Sequence, residues 1–271
     1  MKYTRLLTVL ALSLGLGLVS HGMLGLASSK GAVAAQPLVT AANRLPGQIL
    51  LQPTTVMTLS PSKDNTLYES AAGALSNGAG QNLFVGLTGQ PVGSAIRRGL
   101  IAFDISGNIP AGAVIMSVTL KLNLSMVSTT GTQTVTLHRL LADWGEGTSV
   151  GGGPGAPATM GDATWRHTFF DTEFWAAPGG VFSPTARAAT AVGGAAGLGF
   201  YQWTSAHMAA DVQGWLDNPV TSFGWAILGD ELQSGSARQF DTRENSTAAN
   251  RPALVVEFLP PMRLFLPLVL K

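Results

Sequence analysis

The clearest pattern in the chain is a strict alternation of apolar and polar side chains over Val114–Leu124. Successive side chains of a β-strand point to opposite faces, so this period of two predicts a strand with one buried face. The residues predicted to be buried are Val114, Met116, Val118, Leu120, Leu122 and Leu124.

Shorter apolar and β-branched runs recur along the chain, each bounded by Gly, Asn, Asp or Pro. Such runs are typical of the short strands of an antiparallel sheet. The further predicted strands are Leu50–Leu59, Leu83–Leu87, Gly99–Phe103, Val135–Arg139, Gly224–Leu228, Arg238–Phe240 and Leu254–Phe258.

One segment, Ser205–Leu216, follows a different period. Its apolar residues Met208, Val212 and Trp215 recur at spacings of four and three, and Pro219 follows closely. This pattern predicts one short amphipathic helix that caps an open end or one face of the sheets. The predicted fold is an all-β, jelly-roll-type antiparallel β-sandwich with one short helix and long glycine-rich loops.

Residues 144–203 are the least regular part and contain two glycine-rich stretches, Gly151–Pro154 and Gly193–Gly199. Aromatic residues in such a loop can pin it to the sandwich as a second core, or they can form a face on which sugars stack. We favour burial for most of them. The aromatic residues between the two stretches are Trp165, Phe169, Phe170, Phe174, Trp175 and Phe182.

The N-terminal residues have the features of a secretory signal peptide. A basic start with Lys2 and Arg5 precedes an apolar run, and Ala32–Ala34 gives a small-residue cleavage site. We therefore predict a signal peptide over 1–35 and an exported protein. The alternative is a retained membrane anchor over Leu6–Leu26.

After the signal peptide we predict a linker over 36–48, a sandwich domain over 49–259 and an apolar C-terminal tail over 260–271. The tail is too short to span a bilayer. It is either a final edge strand or a tag that docks to a sorting or surface component.

The amino-acid composition excludes several classes of site and function. Charged residues are 11% of the chain, against about 25% in an average soluble domain, while hydrophobic residues are 46%. The absence of cysteine excludes disulfides, cysteine-bound zinc, a thiol nucleophile and a lipoprotein anchor. Arg97-Arg98 is the only adjacent basic pair, which does not make the basic face that a nucleic acid requires.

The chain lacks the short motifs of common enzymes. There is no G-x-S-x-G, no phosphate-binding loop for a nucleotide and no pair of histidines at metal-ligand spacing. Two acidic pairs, Asp143 with Glu146 and Asp171 with Glu173, are candidates for a glycosidase or lyase. Acids near turns are more often solvated caps, so we predict a non-enzymatic protein.

Arginines and carboxylates near the core strands suggest two roles. Arg98 with Asp241 or Glu244 is predicted to form a buried strut, because bidentate arginine–carboxylate pairs are strong and directional. The alternative is a groove for an acidic sugar.

Oxygen donors near predicted strand ends suggest an ion site. Asp64, Asn65, Asp104 and Asn250 carry the carboxylate and amide oxygens that Ca²⁺ prefers. We predict a structural Ca²⁺ bound by these four residues.

Several short segments between residues 55 and 258 form a recognisable series. They are Asp64–Tyr68, Asn82–Gly86, Arg97–Asp104, Ile109–Ile115, Val135–Arg139, Asp143–Gly147, Ala163–Trp165, Arg238–Glu244 and Asn250–Leu254. In order and spacing they resemble the DNRLRE-domain family of secreted β-sandwich modules related to carbohydrate-binding modules. The resemblance implies binding of acidic polysaccharide or a place in a surface or matrix protein. Relatives often have Gly-Gly-Asp where this chain has Gly179-Gly180-Val181, so any ligand role of that aspartate is lost here.

The function predicted from these observations is a secreted, non-catalytic, polysaccharide-binding module. The alternatives are a structural or adhesive protein of the cell surface or matrix without a small ligand, and a polysaccharide lyase or hydrolase on the same fold. The predicted ligand-binding residues are Asp64, Arg97, Trp144, Glu146, Trp165, Arg243 and Glu244.

Overall fold

A computed structural model describes residues 53–90 and 95–262. The predicted signal peptide (1–35), the linker (36–48) and tail residues 263–271 lie outside the described residues. Within the described ranges, no helix combines the length and the apolar character that a bilayer crossing requires.

The described residues form a mostly β structure with one α-helix, α1 (Ala206–Asp217), and three single-turn 3₁₀ helices (Gly194–Ala196, Pro219–Thr221 and Ala248–Asn250). The strands are β1 (Thr55–Leu59), β2 (Lys63–Tyr68), β3 (Leu75–Ser76), β4 (Asn82–Leu87), β5 (Ile96–Ala102), β6 (Val114–Val127), β7 (Thr132–Arg139), β8 (Ala156–Pro157), β9 (His167–Phe169), β10 (Glu173–Phe174), β11 (Ala188–Gly193), β12 (Gly199–Thr204), β13 (Trp225–Leu228), β14 (Arg238–Asp241) and β15 (Ala253–Leu259).

An eleven-stranded antiparallel sheet curls into two layers. The front layer consists of β1, β15, β6, β12, β14 and the start of β4, and the back layer consists of the end of β4 with β5, β2, β13, β7 and β11. β4 passes between the layers: Val85 pairs with β14, whereas Gly86 and Leu87 pair with β5. The predicted all-β sandwich with one short helix is confirmed, and each predicted strand overlaps an observed one.

The main core lies between the two layers and contains large aromatic side chains from both. Trp203 of β12 and Trp225 of β13 are fully buried. Their indole N–H groups donate to the Val135 carbonyl (2.8 Å) and to Asp211 Oδ2 (3.0 Å), so burying them leaves no donor unpaired. Helix α1 closes this core with Met208, Val212, Trp215 and Leu216.

The alternation in β6 is confirmed from Val118 onwards but is inverted before it. Ile115 is buried, whereas Val114 and Met116 are 53% and 51% exposed. A bulge against β15 causes this, because Glu257 pairs with Ser117 while its neighbour Phe258 pairs with Ile115. One extra residue on β6 moves every earlier side chain to the opposite face.

The long loop after β7 packs as a second core on the outer face of the back layer. Trp144 and Trp175 are buried there against Leu67, Leu100 and Ala226. Trp165 and Phe182 are partly buried on the same cluster. Of the six loop aromatics, Trp175 is buried, four are half-buried and Phe174 is 60% exposed.

The region predicted to be irregular contributes two strands to the eleven-stranded sheet. β11 and β12 flank the glycine-rich stretch and pair with β7 and β6 respectively. The alanine and glycine content of β11 hid its alternation, since small residues carry little hydrophobic signal.

Candidate functional site

Four of the predicted ligand-binding residues meet in one place, which we call the Arg243 cluster: Asp64, Glu146, Arg243 and Glu244. Asp64 lies in β2, Glu146 lies in the loop after β7, and the other two follow β14. Asp64 is fully buried, and the other three are half-buried.

Arg243 holds the cluster together. Its guanidinium contacts Glu146 bidentately, with Nε to Oε1 at 2.7 Å and Nη2 to Oε2 at 2.6 Å, and Nε also lies 2.7 Å from Glu244 Oε1. The Arg243 backbone N–H donates to Asp64 Oδ2 (2.9 Å), and the Asp64 N–H donates to Glu146 Oε1 (2.9 Å). Three distant chain segments are thereby fixed by charge-assisted hydrogen bonds.

Glycines allow the loops to approach this closely. Gly147 has φ +73°, and a Cβ there would lie 1.5 Å from Asp162 Oδ1. Gly78 passes the Glu146 carbonyl oxygen, which a Cβ would approach to 1.7 Å. No larger residue fits either position while Glu146 keeps its place.

Three ionisable groups of the cluster have shifted pKa values. Burial raises the pKa of Asp64 well above its ordinary value, and the neighbouring Glu244 and Glu146 carboxylates raise it further. Burial likewise raises the pKa of Glu244, whereas the hydrogen bond to Glu146 raises the pKa of Arg243. Asp64 Oδ1 and Glu244 Oε2 are buried without a hydrogen-bond partner.

The four predicted calcium ligands have separate roles in the structure. Only Asp64 belongs to the Arg243 cluster. The side chain of Asn65 is occupied, since its Oδ1 accepts from the Asn77 N–H (3.1 Å) and its Nδ2 donates to the Glu146 carbonyl (2.9 Å). Asp104 is exposed and accepts from the Gly107 N–H (2.9 Å), which closes a turn. Asn250 ends a 3₁₀ turn.

The predicted partners of Arg98 are wrong, although it does form a strut. Its Nε and Nη2 contact Glu231 at 2.7 and 2.8 Å, instead of Asp241 or Glu244. The second core explains this choice: Arg98 lies on the outer face of the back layer, where its guanidinium stacks 4.9 Å from the Trp165 ring. Asp241 instead accepts from side-chain amides on the front layer.

The other predicted ligand-binding residues lie outside the Arg243 cluster. Arg97 is 8% exposed and stacks 4.7 Å from the Tyr68 ring. Trp144 is fully buried, with Lys63 Nζ 4.4 Å above its ring, so it offers no face for a sugar. Trp165 is half-buried beneath Arg98.

The outer face of the front layer holds a cleft that sequence reasoning missed. It has a volume of about 590 Å³ and is open to solvent. Lys121 of β6 lies between Gln202 of β12 and Ala253 of β15 in one row across three strands. Phe200 on β12 is 49% exposed. The lining residues are Ser60, Lys121, Phe200, Gln202, Ala248, Ala249, Arg251, Pro252 and Ala253.

Small side chains create this cleft, because Ala253 in the row and Ala248 and Ala249 at its wall leave space beside Lys121. In the sequence, Lys121 occupies one of the polar positions of the β6 alternation, which predicts that its side chain points away from the core. The alternation did not show which residues of β12 and β15 lie beside Lys121.

No known protein-family model matches the chain, and no curated protein is similar to it in sequence.

Proposed function

We propose that this chain is a secreted, non-catalytic β-sandwich module that binds an acidic polysaccharide in the cleft of the front layer. The observation that carries the proposal is the combination of two cations and an exposed aromatic ring, Lys121, Arg251 and Phe200, in one open cleft. The basic start, apolar run and small-residue site over 1–35 support export.

The side chains of the cleft suit a sugar acid. Among the described residues, no carboxylate lies within ion-pair distance of Lys121 or Arg251, and none lines the cleft. Arg251 is oriented by its Nε–H, which donates to the Asn245 carbonyl at 2.8 Å. The charge of Arg251 also acts on Glu244, but neither cation is held in an ion pair, so both can contact the carboxylates of a uronic-acid polymer.

The cleft also offers contacts to the uncharged parts of a sugar. The exposed Phe200 ring offers an apolar surface for the C–H face of a pyranose ring, and the exposed Gln202 amide can donate to and accept from hydroxyls. An apolar platform with a few convergent polar groups is the usual composition of a small-molecule site.

The catalytic alternative draws on the carboxylates that meet in the Arg243 cluster. Asp64 is fully buried, and both oxygens of Glu146 contact Arg243, so these groups are placed to hold chain segments. A general acid or base must reach the reacting bond of its substrate. This arrangement favours binding over catalysis.

The test is the affinity of the purified protein for uronic-acid polymers and for a neutral glucan, measured by titration calorimetry at two salt concentrations. We expect binding to the polyuronate only, weaker at high salt because ions screen the contacts of exposed cations. Phe200→Ala and the double change Lys121→Gln with Arg251→Gln should each weaken binding about tenfold or more, which is 1.4 kcal/mol or more.

Matched controls lie elsewhere on the surface. Phe174→Ala removes another exposed ring and Arg166→Gln another exposed cation, and neither should change the affinity. If the cleft variants bind as tightly as the wild type, the binding site lies elsewhere on the protein. No binding to any polysaccharide would favour the structural or adhesive alternative.

A further inference from the structure

Two buried oxygens of the Arg243 cluster have no hydrogen-bond partner: Asp64 Oδ1 and Glu244 Oε2. Asp64 is fully buried, so Oδ1 has no contact with bulk water. Burying an unpaired carboxylate oxygen is costly, and native proteins pair nearly all such atoms. The two oxygens therefore indicate a ligand that completes the cluster.

The charge of the cluster indicates the sign of that ligand. The cluster consists of three carboxylates and the guanidinium of Arg243, which leaves two formal negative charges among the four groups. The charge of Arg251 also acts on Glu244, but no ion pair joins them. Lys63, which adjoins Asp64 in the chain, does not compensate them, because its Nζ donates to Asp143 Oδ1 (2.7 Å) and to the Trp144 carbonyl (2.5 Å). One doubly charged cation would balance the cluster.

We propose that the Arg243 cluster binds one divalent cation of the Ca²⁺ class, with Asp64, Glu146 and Glu244 as its protein ligands. One oxygen from each carboxylate can be chosen such that all three lie within 4.8 Å of one another. Hard cations take carboxylate oxygens and complete their shell with water. The site shares only Asp64 with the calcium ligands predicted from sequence.

The cation would fasten three segments that are far apart in the chain: strand β2, the loop around Glu146 and the segment 242–252. The last of these also carries Arg251, Ala248 and Ala249, which line the cleft. Its attachment to β2 at present depends on the Arg243 N–H to Asp64 bond and on the Arg243–Glu146 pair.

The direct test is titration calorimetry of the purified protein with CaCl₂ and with MgCl₂ after treatment with a chelator. We expect one Ca²⁺ per chain and a rise in the unfolding midpoint when Ca²⁺ is added back, because a ligand that binds only the folded state stabilises it. The absence of heat and of a midpoint shift with both metals would overturn the proposal. Neither measurement involves a polysaccharide, so the result is independent of the proposed function.

Variants separate an ion site from a merely structural cluster. Asp64→Asn and Glu244→Gln should each weaken Ca²⁺ binding at least about tenfold, since each removes one charged ligand. Without Ca²⁺, Asp64→Asn should be at least as stable as the wild type, because it removes an uncompensated buried charge. The control Glu231→Gln breaks the distant pair with Arg98 and should leave Ca²⁺ affinity unchanged. Unchanged affinity in both cluster variants would contradict the proposal.

Discussion

At the scale of single residues, Arg98 shows how one side chain joins the back layer to the loop above it. It makes two bonds to Glu231 and one to the Gly179 carbonyl (2.7 Å), and it stacks on Trp165. Arg98→Lys should lower the free energy of unfolding by about 1–3 kcal/mol, because a lysine cannot reproduce the planar fork. Denaturant unfolding measures this change. Arg166→Lys at an exposed site is the control, and equal stability of both variants would contradict the role.

Asp211 gives a pH prediction at the same scale. Burial raises the pKa of Asp211. The hydrogen bond from Trp225, the ion pairs with Arg187 (3.2 Å) and Arg139 (3.6 Å) and the charge of His207 lower it, but they do not offset the effect of burial. Because its pKa is higher in the folded state, Asp211 contributes its full stabilisation at pH values below the unfolded-state pKa of about 3.9. This stabilisation is lost as the pH rises through the folded-state pKa.

Asp211→Asn should remove this contribution, while its amide oxygen still accepts from Trp225. The free energy of unfolding, followed by denaturant titration from acid to neutral pH, should therefore fall less steeply with rising pH in the variant. Parallel curves for the wild type and the variant would show that Asp211 does not contribute.

The residues of the Arg243 cluster could be named from the sequence, but most of their partners could not. Asp64, Glu146, Arg243 and Glu244 were predicted from motif order, without knowledge of which would meet. Asp64 contacts residues 82 and 179 positions away, and only the layer geometry brings such positions together. Equally little in the sequence indicated that the side chain of Asn65 is occupied, since its partners Ser76, Asn77 and Glu146 lie 11 to 81 positions away.

At the scale of elements, the passage of β4 between the layers depends on Gly86. Its φ of +102° is strained for any residue with a side chain, and a Cβ would lie 3.0 Å from Ser236 Oγ. Gly86→Ala should cost about 1–3 kcal/mol of stability. Gly152→Ala is the control, because a Cβ there meets no atom within 4 Å. Similar unfolding midpoints for the two variants would refute the requirement.

Helix α1 begins at an N-cap whose loss can be measured. Ser205 Oγ accepts from the Met208 N–H (3.1 Å) and donates to the Arg187 carbonyl (2.5 Å). Ser205→Ala should destabilise the protein by about 1 kcal/mol. Thermal and denaturant unfolding measure this loss, with exposed Ser234→Ala as the control. A variant as stable as the control would mean that the cap contributes nothing.

Elements were predictable where one face is apolar and the other polar. β6 and α1 follow that rule, and their positions agree with the prediction. β2 does not, because Asp64, Asn65 and Thr66 are all buried, and a polar run suggests a turn. The bulge that inverts the start of β6 depends on its partner β15, so the β6 alternation alone gave no sign of it.

At the scale of the whole molecule, a fold without cysteine depends on burial. The main core lies between the layers, and the second core pins the long loop to the back layer. Composition and alternation predicted this all-β architecture. They did not predict which strands become neighbours, and therefore missed the cleft formed by β6, β12 and β15.

The central claim is that this cleft binds an acidic polysaccharide, and NMR titration of the purified protein with a uronic-acid oligosaccharide tests it most directly. We predict saturable shifts confined to the signals of Lys121, Phe200, Gln202 and Arg251 and their neighbours. Shifts centred on Trp165 and Phe174 would place the site on the long loop instead. A spectrum unchanged at saturating oligosaccharide would contradict the claim.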